Sequence, residues 1–325
     1  MRRPVLLFCA LCLSLFSVSC TGLQQRQGSA NTVRQYVSAQ PDGTLLARYA
    51  PVFILENVQR SYNRIGTPAV RGDSADPDVY VDSNAPGIYA QERSFQYQGK
   101  QYTNLIYRVH FEKTPFPHLT SGRNLGLLVI ITLNQHDQPL LLTSVHTCGC
   151  YLAFVPTSYL PPSAYPDHWT PGGQDVYGEH LPGLMVMDRE EHSPYRFALR
   201  LRSETHRVMD IALLPAADWS GRSDYVAVPL KAMAELKALP FGSGKISFFE
   251  TEGARRGYVR NSQKPLERLL MSWWSLDWRV GEDKDFGPRE ETGVVFYTSL
   301  KFWAREKSDL WNFPDFLAYW GWRFP

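Results

Sequence analysis

The chain has 325 residues, 44% of them hydrophobic and 20% charged, with 34 basic against 32 acidic side chains. That composition excludes a disordered polyelectrolyte, and the near-neutral balance excludes nucleic acid as a main partner, which is gripped by a strongly basic face. A chain of this size and hydrophobicity can bury one sizeable core or two closely packed ones.

The first nineteen residues have the three parts of a secretory signal. Arg2 and Arg3 give a positive start, an apolar stretch follows from Val5 to Phe16, and the small residues Ser17 and Ser19 close it. A membrane span needs roughly 20 apolar residues, so this shorter stretch reads as a cleaved signal core. The ending Phe16-Ser17-Val18-Ser19-Cys20 resembles the lipobox of bacterial lipoproteins. The resemblance covers only these first residues, and Ser17 departs from it, standing where the family usually has leucine or another aliphatic residue. It implies a diacylglyceryl thioether on Cys20, cleavage just before it, and acylation of the new amino group. Two or three acyl chains would hold the protein on a membrane. Thr21, where retention in the inner membrane favours Asp, leans by the same resemblance toward the outer membrane, facing the periplasm, with the inner membrane or the cell surface as the alternatives. Cleavage would remove Arg2 and Arg3 and leave 32 basic residues against 32 acidic ones.

Residues 20–43 are polar and read as a lipidated tether, and residues 44–325 as a single β-rich globular domain, with two closely packed subdomains as the variant. Within it, residues 45–55 read as a short helix or turn running into a buried strand, and residues 62–68 as a shaped loop. Strand patterns over 95–97 and 102–111 flank a turn at 98–101, and apolar runs at 127–133 and 140–145 flank another at 134–139. Residues 157–174, rich in proline and glycine, form a long loop that serves as a lid or edge cover. Strands are expected at 184–187, 195–201, 206–214, 246–249 and 294–297. Pro229 and Pro240 bracket an expected helix at 230–239. A second helix at 265–274 opens on Pro265, with Leu266, Leu269, Leu270, Trp273 and Trp274 on one apolar side. Trp273, Trp274 and Trp278 are expected in the core, and the aromatic tail with Trp311, Trp320 and Trp322 is expected to dock on the sheet. The basic group Arg255, Arg256, Arg260, Lys264 and Arg268 reads as a solvated face. The fold class is α+β: β-rich, largely antiparallel, with a few helices toward the C-terminal third.

One segment can carry chemistry. With Cys20 lipidated, the mature chain keeps only Cys148 and Cys150 as thiols, in His146-Thr147-Cys148-Gly149-Cys150-Tyr151. In an extended strand, Cα atoms two apart lie about 6.5–7 Å from each other, at the limit for a disulfide, and His146 and Cys150 lie about 13 Å apart. A bend at Gly149 would bring all three donors together. His180 and His206 are the candidates to complete a site for zinc or copper(I). A Cys148–Cys150 disulfide, redox-active or structural, is the alternative use of the pair. Glu179 beside His180, and Glu204 and Asp210 flanking His206, are further acid–base candidates. No nucleophile elbow, zinc-protease helix or phosphate-binding loop occurs, and Ser193 and Ser203 lack triad partners. The sequence therefore points to a membrane-anchored envelope module that binds a ligand or partner, an envelope protein or a glycan. Its alternative is a metal- or thiol-dependent envelope enzyme using His146, Cys148 and Cys150.

Overall fold

The computed structural model describes residues 32–38, 43–73, 76–187, 195–215 and 225–325. The signal segment, Cys20 and Ser193 lie outside the described residues. The compact unit Thr32–Pro325 holds every described element.

Seventeen strands are described: β1 (Arg34–Ser38), β2 (Val52–Leu55), β3 (Thr67–Gly72), β4 (Pro77–Asp82), β5 (Ile88–Tyr97), β6 (Lys100–Thr114), β7 (Gly122–Leu133), β8 (Pro139–His146), β9 (Ala153–Pro156), β10 (Gln174–Val176), β11 (Glu179–Leu181), β12 (Tyr195–Leu201), β13 (Val208–Pro215), β14 (Tyr225–Val228), β15 (Leu230–Ala232), β16 (Leu239–Phe241) and β17 (Gly244–Ile246). The helices are α1 (Leu45–Arg48), α2 (Pro265–Ser275), α3 (Arg289–Thr292) and α4 (Phe313–Tyr319). The expected β-rich, mainly antiparallel α+β class is the one observed. Among the described residues, no helix is long and apolar enough to cross a membrane.

A six-stranded sheet in the order β15-β5-β6-β7-β8-β9 forms the middle layer. The expected hairpins build its centre. Tyr97 pairs with Lys100 across Gln98-Gly99, both with positive φ as a two-residue hairpin turn requires. Alternation then sends the side chains of β6 to two cores. Leu105, Tyr107, Val109 and Phe111 join Phe53, Phe197 and Leu199 of a five-stranded sheet ordered β13-β12-β2-β1-β14. Tyr102 and Ile106 face the other way, toward Phe248, Phe313, Phe316 and Trp322 from the C-terminal third. Arg108 and His110 share that second face, buried among aromatics: His110 meets Phe248 edge-on and Arg108 lies over the Phe249 ring.

Several expectations are corrected. Residues 34–38, read as part of the tether, form β1, which is locked between β2 and β14 and buries Tyr36 and Val37. That pairing is long-range, and the local pattern of so short a segment carries no trace of it. The helix expected at 230–239 is instead β15, a 3-10 turn over Met233–Lys237, and the start of β16. Pairing of Leu230 and Ala232 with Ile88 and Ala90 outweighs local helix propensity. Residues 184–187 and 294–297 contribute only isolated bridges at Met185 and Tyr297. Trp322 is buried as expected, with Trp311 and Trp320 packed against the same core. Trp273, Trp274 and Trp278 are exposed, not core. The basic group is not a uniformly solvated face either. Lys264 is buried against Asp283 at 3.2 Å, and Arg255 and Arg260 pair with Glu282 and Glu250.

Candidate functional site: a Cys-Gly-Cys turn over a buried ionic cluster

β8 ends at His146, where the middle sheet meets both flanking layers. The Gly149 amide donates to the His146 carbonyl at 2.7 Å, and the His146 amide donates to the Cys150 carbonyl at 2.9 Å, closing a tight turn. Gly149 is left-handed at φ +94°, and a Cβ there would collide with the Tyr297 carbonyl. Glycine is therefore required twice over, by conformation and by close approach. The bend brings the Cα atoms of Cys148 and Cys150 to 5.7 Å, inside the range a disulfide accepts, and the two sulfurs are joined. The donor atoms of His146, Cys148 and Cys150 lie within 4.8 Å of one another.

Burial keeps the His146 imidazole neutral, with its pKa pulled down to about 3, and the nearby Lys264 ammonium adds to the effect. The neutral ring donates its Nε2–H to the His206 carbonyl at 3.1 Å, so the lone pair sits on Nδ1. His206 thus meets His146 through its backbone. Its own ring stacks on Phe111 at 3.9 Å and bonds the Tyr62 carbonyl at 2.8 Å. His180 stands exposed on β11, bonded to Asp175 at 3.0 Å. The structure brings His146, Cys148 and Cys150 together and leaves the rings of His180 and His206 outside that group.

Of the acid–base candidates, Glu179 and Glu204 are engaged elsewhere and Asp210 stands exposed on β13. Glu179 holds Arg202 and Arg207, which keep its carboxyl below the usual range. Glu204 takes His118 at 2.7 Å, and Ser203 accepts from Asn63 at 2.9 Å.

A cluster of buried charges underlies the turn, and most of it is illegible in the sequence. Asp283 accepts from the Thr147 hydroxyl and from the Gly126 amide at 3.2 Å, and pairs with Lys264 at 3.2 Å. Lys284 donates to the Cys148 carbonyl at 2.6 Å and to the Glu282 carbonyl at 3.2 Å, and lies over the Tyr297 ring. Its carbonyl accepts from Arg108 at 3.1 Å, and Arg108 also donates to His110 at 2.9 Å. Desolvation pulls Lys284 down to about 8. The same burial acts on Lys264, but Asp283 and Glu267 outweigh it and its pKa lies above the ordinary lysine value. Residues 281–285 read Gly-Glu-Asp-Lys-Asp, which resembles any solvated loop.

Beside the disulfide lies a cavity of about 40 Å³ lined by Cys148, Cys150, Glu267, Met271, Tyr297 and Leu300, among others. It has room for an ion and a water or two. A second, larger and polar cleft of about 500 Å³ opens between β4, β6 and β7, with Arg71, Tyr80, Glu112, Lys113 and Arg123 on its walls. Arg71 stacks on Tyr80 there at 4.6 Å.

No family model matches this chain, and no curated protein matches it. Among solved structures, one described as "NLPPya in complex with mannosamine" is similar at 13% identity, over 51% of this chain and 63% of that one, with a TM-score of 0.20. The chain thus spans less than two thirds of that protein, and a likeness so slight carries no argument about fold or ligand.

Proposed function

We propose that this chain is a lipid-anchored binding module of the cell envelope, held through Cys20, whose Cys-Gly-Cys turn takes a zinc or copper(I) ion once its disulfide is reduced. The observation that carries the metal reading is the gathering of His146, Cys148 and Cys150 donors within 4.8 Å beside a small cavity. A thiol or phosphine reductant delivers two electrons, the S–S bond opens to two thiols, and metal binding displaces their protons. The two thiolates and the neutral His146 ring supply three ligands, a soft set suited to zinc or copper(I). Glu267 lines the same cavity and can offer a fourth. The anchor rests on the first twenty residues of the sequence.

The unit Thr32–Pro325 contains only two cysteines, Cys148 and Cys150, which makes the test clean. Reduced with a phosphine and titrated with zinc or copper(I) against a chromophoric chelator, it should take one ion per chain, and the oxidised unit none. Cys148→Ser or His146→Ala should weaken binding by about tenfold or more. A reduced unit with two free thiols and no bound ion refutes the metal reading. Separately, Cys20→Ala in the full chain should abolish fatty-acid labelling, and persistent labelling refutes the anchor.

The polar cleft favours a second reading, a glycan or other polar ligand held between Arg71, Tyr80 and Arg123. Its test is a saccharide-array screen of the same unit, with any hit required to be lost in Tyr80→Ala.

A further inference from the structure

Fourteen large hydrophobic side chains stand exposed among the described residues, and eight of them fall between Leu269 and Trp303. Most belong to α2 and the turn after it. Trp273 is 73% exposed, Leu269 72% and Trp278 64%, with Leu270, Trp274 and Leu276 beside them. The helix is amphipathic in reverse. Its inner face buries Glu267 and Ser275, the first 3.9 Å from Lys264, and its apolar side faces outward. Phe302 and Trp303 extend the patch. Leu300 shares the small cavity with Met271 of α2, and Arg305 donates to the Ser275 carbonyl, so this loop is fastened to the end of α2. Soluble proteins seldom expose a contiguous apolar patch of this kind without a use for it.

Across residues 265–280 and 300–309 five basic side chains stand against four acidic ones, and the basic ones are the less engaged. Arg268, Arg279, Lys301 and Lys307 make no direct ion pair among the described residues, the first two reaching buried Glu282 only through longer-range attraction, and Arg268 lies 4.0 Å over the Trp278 ring. The neighbouring acids are already engaged. Asp277 takes the Tyr297 hydroxyl, Glu306 takes Arg289, and Asp309 accepts the amides of Phe296 and Trp311. Tryptophan and leucine ringed by unpaired cations is the chemistry of the headgroup–acyl boundary of an anionic bilayer. A second copy fits less well. A two-fold interface would bring the same cations of both copies toward each other with no free acid on the face to offset them.

We propose that the outward face of α2, with the adjoining Phe302-Trp303 turn, docks on an anionic phospholipid surface. The indoles and leucines enter the boundary region and the arginines and lysines meet the phosphates. This contact is separate from any acyl anchor. It would turn the cavity beneath α2, and with it the Cys-Gly-Cys turn, toward the membrane.

The unit Thr32–Pro325 lacks both the signal segment and Cys20, so the contact can be tested without the anchor. The probe is vesicles of phosphatidylcholine with and without phosphatidylglycerol, read by co-sedimentation and by quenching of tryptophan emission with brominated acyl chains. The unit should bind the phosphatidylglycerol vesicles, less so at high salt. Trp273→Ser with Trp278→Ser should cut partitioning at least about tenfold, and because both side chains are exposed the urea midpoint should hardly move. Arg268→Gln with Lys301→Gln should erase the preference for phosphatidylglycerol. Folded protein that fails to bind overturns the proposal. So does equal binding to neutral vesicles, or concentration-dependent dimerisation that the tryptophan substitutions abolish.

Discussion

Asp283 offers the sharpest test of how the site is held. It is fully buried, and its carboxylate joins Gly126 of the middle sheet and Thr147, just past the end of β8, to Lys264 at the start of α2. Asp283→Asn keeps the volume and removes the charge, leaving Lys264 buried with only Glu267 at 3.9 Å. Breaking a buried ion pair by removing one partner costs about 3–5 kcal/mol, because the remaining charge is uncompensated. Lys264→Met should cost a similar amount, since it strands the carboxylate. The double variant removes both charges together, so it should be less destabilised than the two singles summed, by about 2–3 kcal/mol. Urea unfolding of the oxidised unit Thr32–Pro325, followed by fluorescence, measures all four corners of the cycle, provided the m-value stays constant. Singles that each cost under about 1 kcal/mol, or that add to the double within about 0.5 kcal/mol, would refute the claim that this pair fastens the turn to the helix.

Stability should also depend on pH in two windows. Lys284 has a folded pKa of about 8 against an ordinary 10.5, so between those values the unfolded chain binds more protons and stability rises with pH. His146 and His206, both held down to about 3, make the unfolded state the better proton binder below about 6.5, so stability falls on acidification. Urea midpoints across both windows should show this, and Lys284→Met should flatten the alkaline rise while leaving the acid limb; an unchanged alkaline rise would contradict the assignment. Gly149→Ala should lose more than about 2 kcal/mol, since left-handed strain alone costs about 1–2 and the Tyr297 carbonyl blocks the added methyl. Calorimetry showing a near-neutral change would mean the turn can open. Trp322→Ala should cost about 3–5 kcal/mol, because the ring is buried against Phe154, Tyr165 and Trp169, and a smaller loss would show that the C-terminal layer can collapse onto the gap.

Much of the fold could be read from local pattern. Gln98-Gly99 and the loop at 134–138 announce their hairpins because turn chemistry and alternation agree, and Pro265 marks the start of α2 to the residue. What pattern could not reveal was direction. The stripe Leu269, Leu270, Trp273, Trp274 identifies a helix face, yet nothing local says whether that face meets protein or solvent. Here Glu267, held near Lys264, claims the inner side. The site was legible to the same depth. A bend at Gly149 was the stated condition for gathering His146 and the cysteines, and the bend is there. His206, a candidate ligand by sequence, meets His146 through its backbone carbonyl alone, while Phe111 and the Tyr62 carbonyl hold its ring away. The charges at 282–285 were invisible because their burial depends on Arg108, Gly126 and Thr147, far away in sequence.

The position of β1 has a consequence for how the chain reaches its native state. β1 lies between β2 and β14, and its partners in β14 begin at Tyr225. Pairing Gln35 with Tyr225 leaves β2 to β13 in the intervening loop, so the sheet cannot be completed until most of the polypeptide is available. Such long-range parallel closure is slow. A chain emerging from the ribosome, or threading a channel from its N-terminus, would carry an unclosed edge at β1 until residues 225–228 arrived. Folding to completion is thereby deferred to the end of synthesis or transit, and truncations ending before Tyr225 should expose that edge to aggregation.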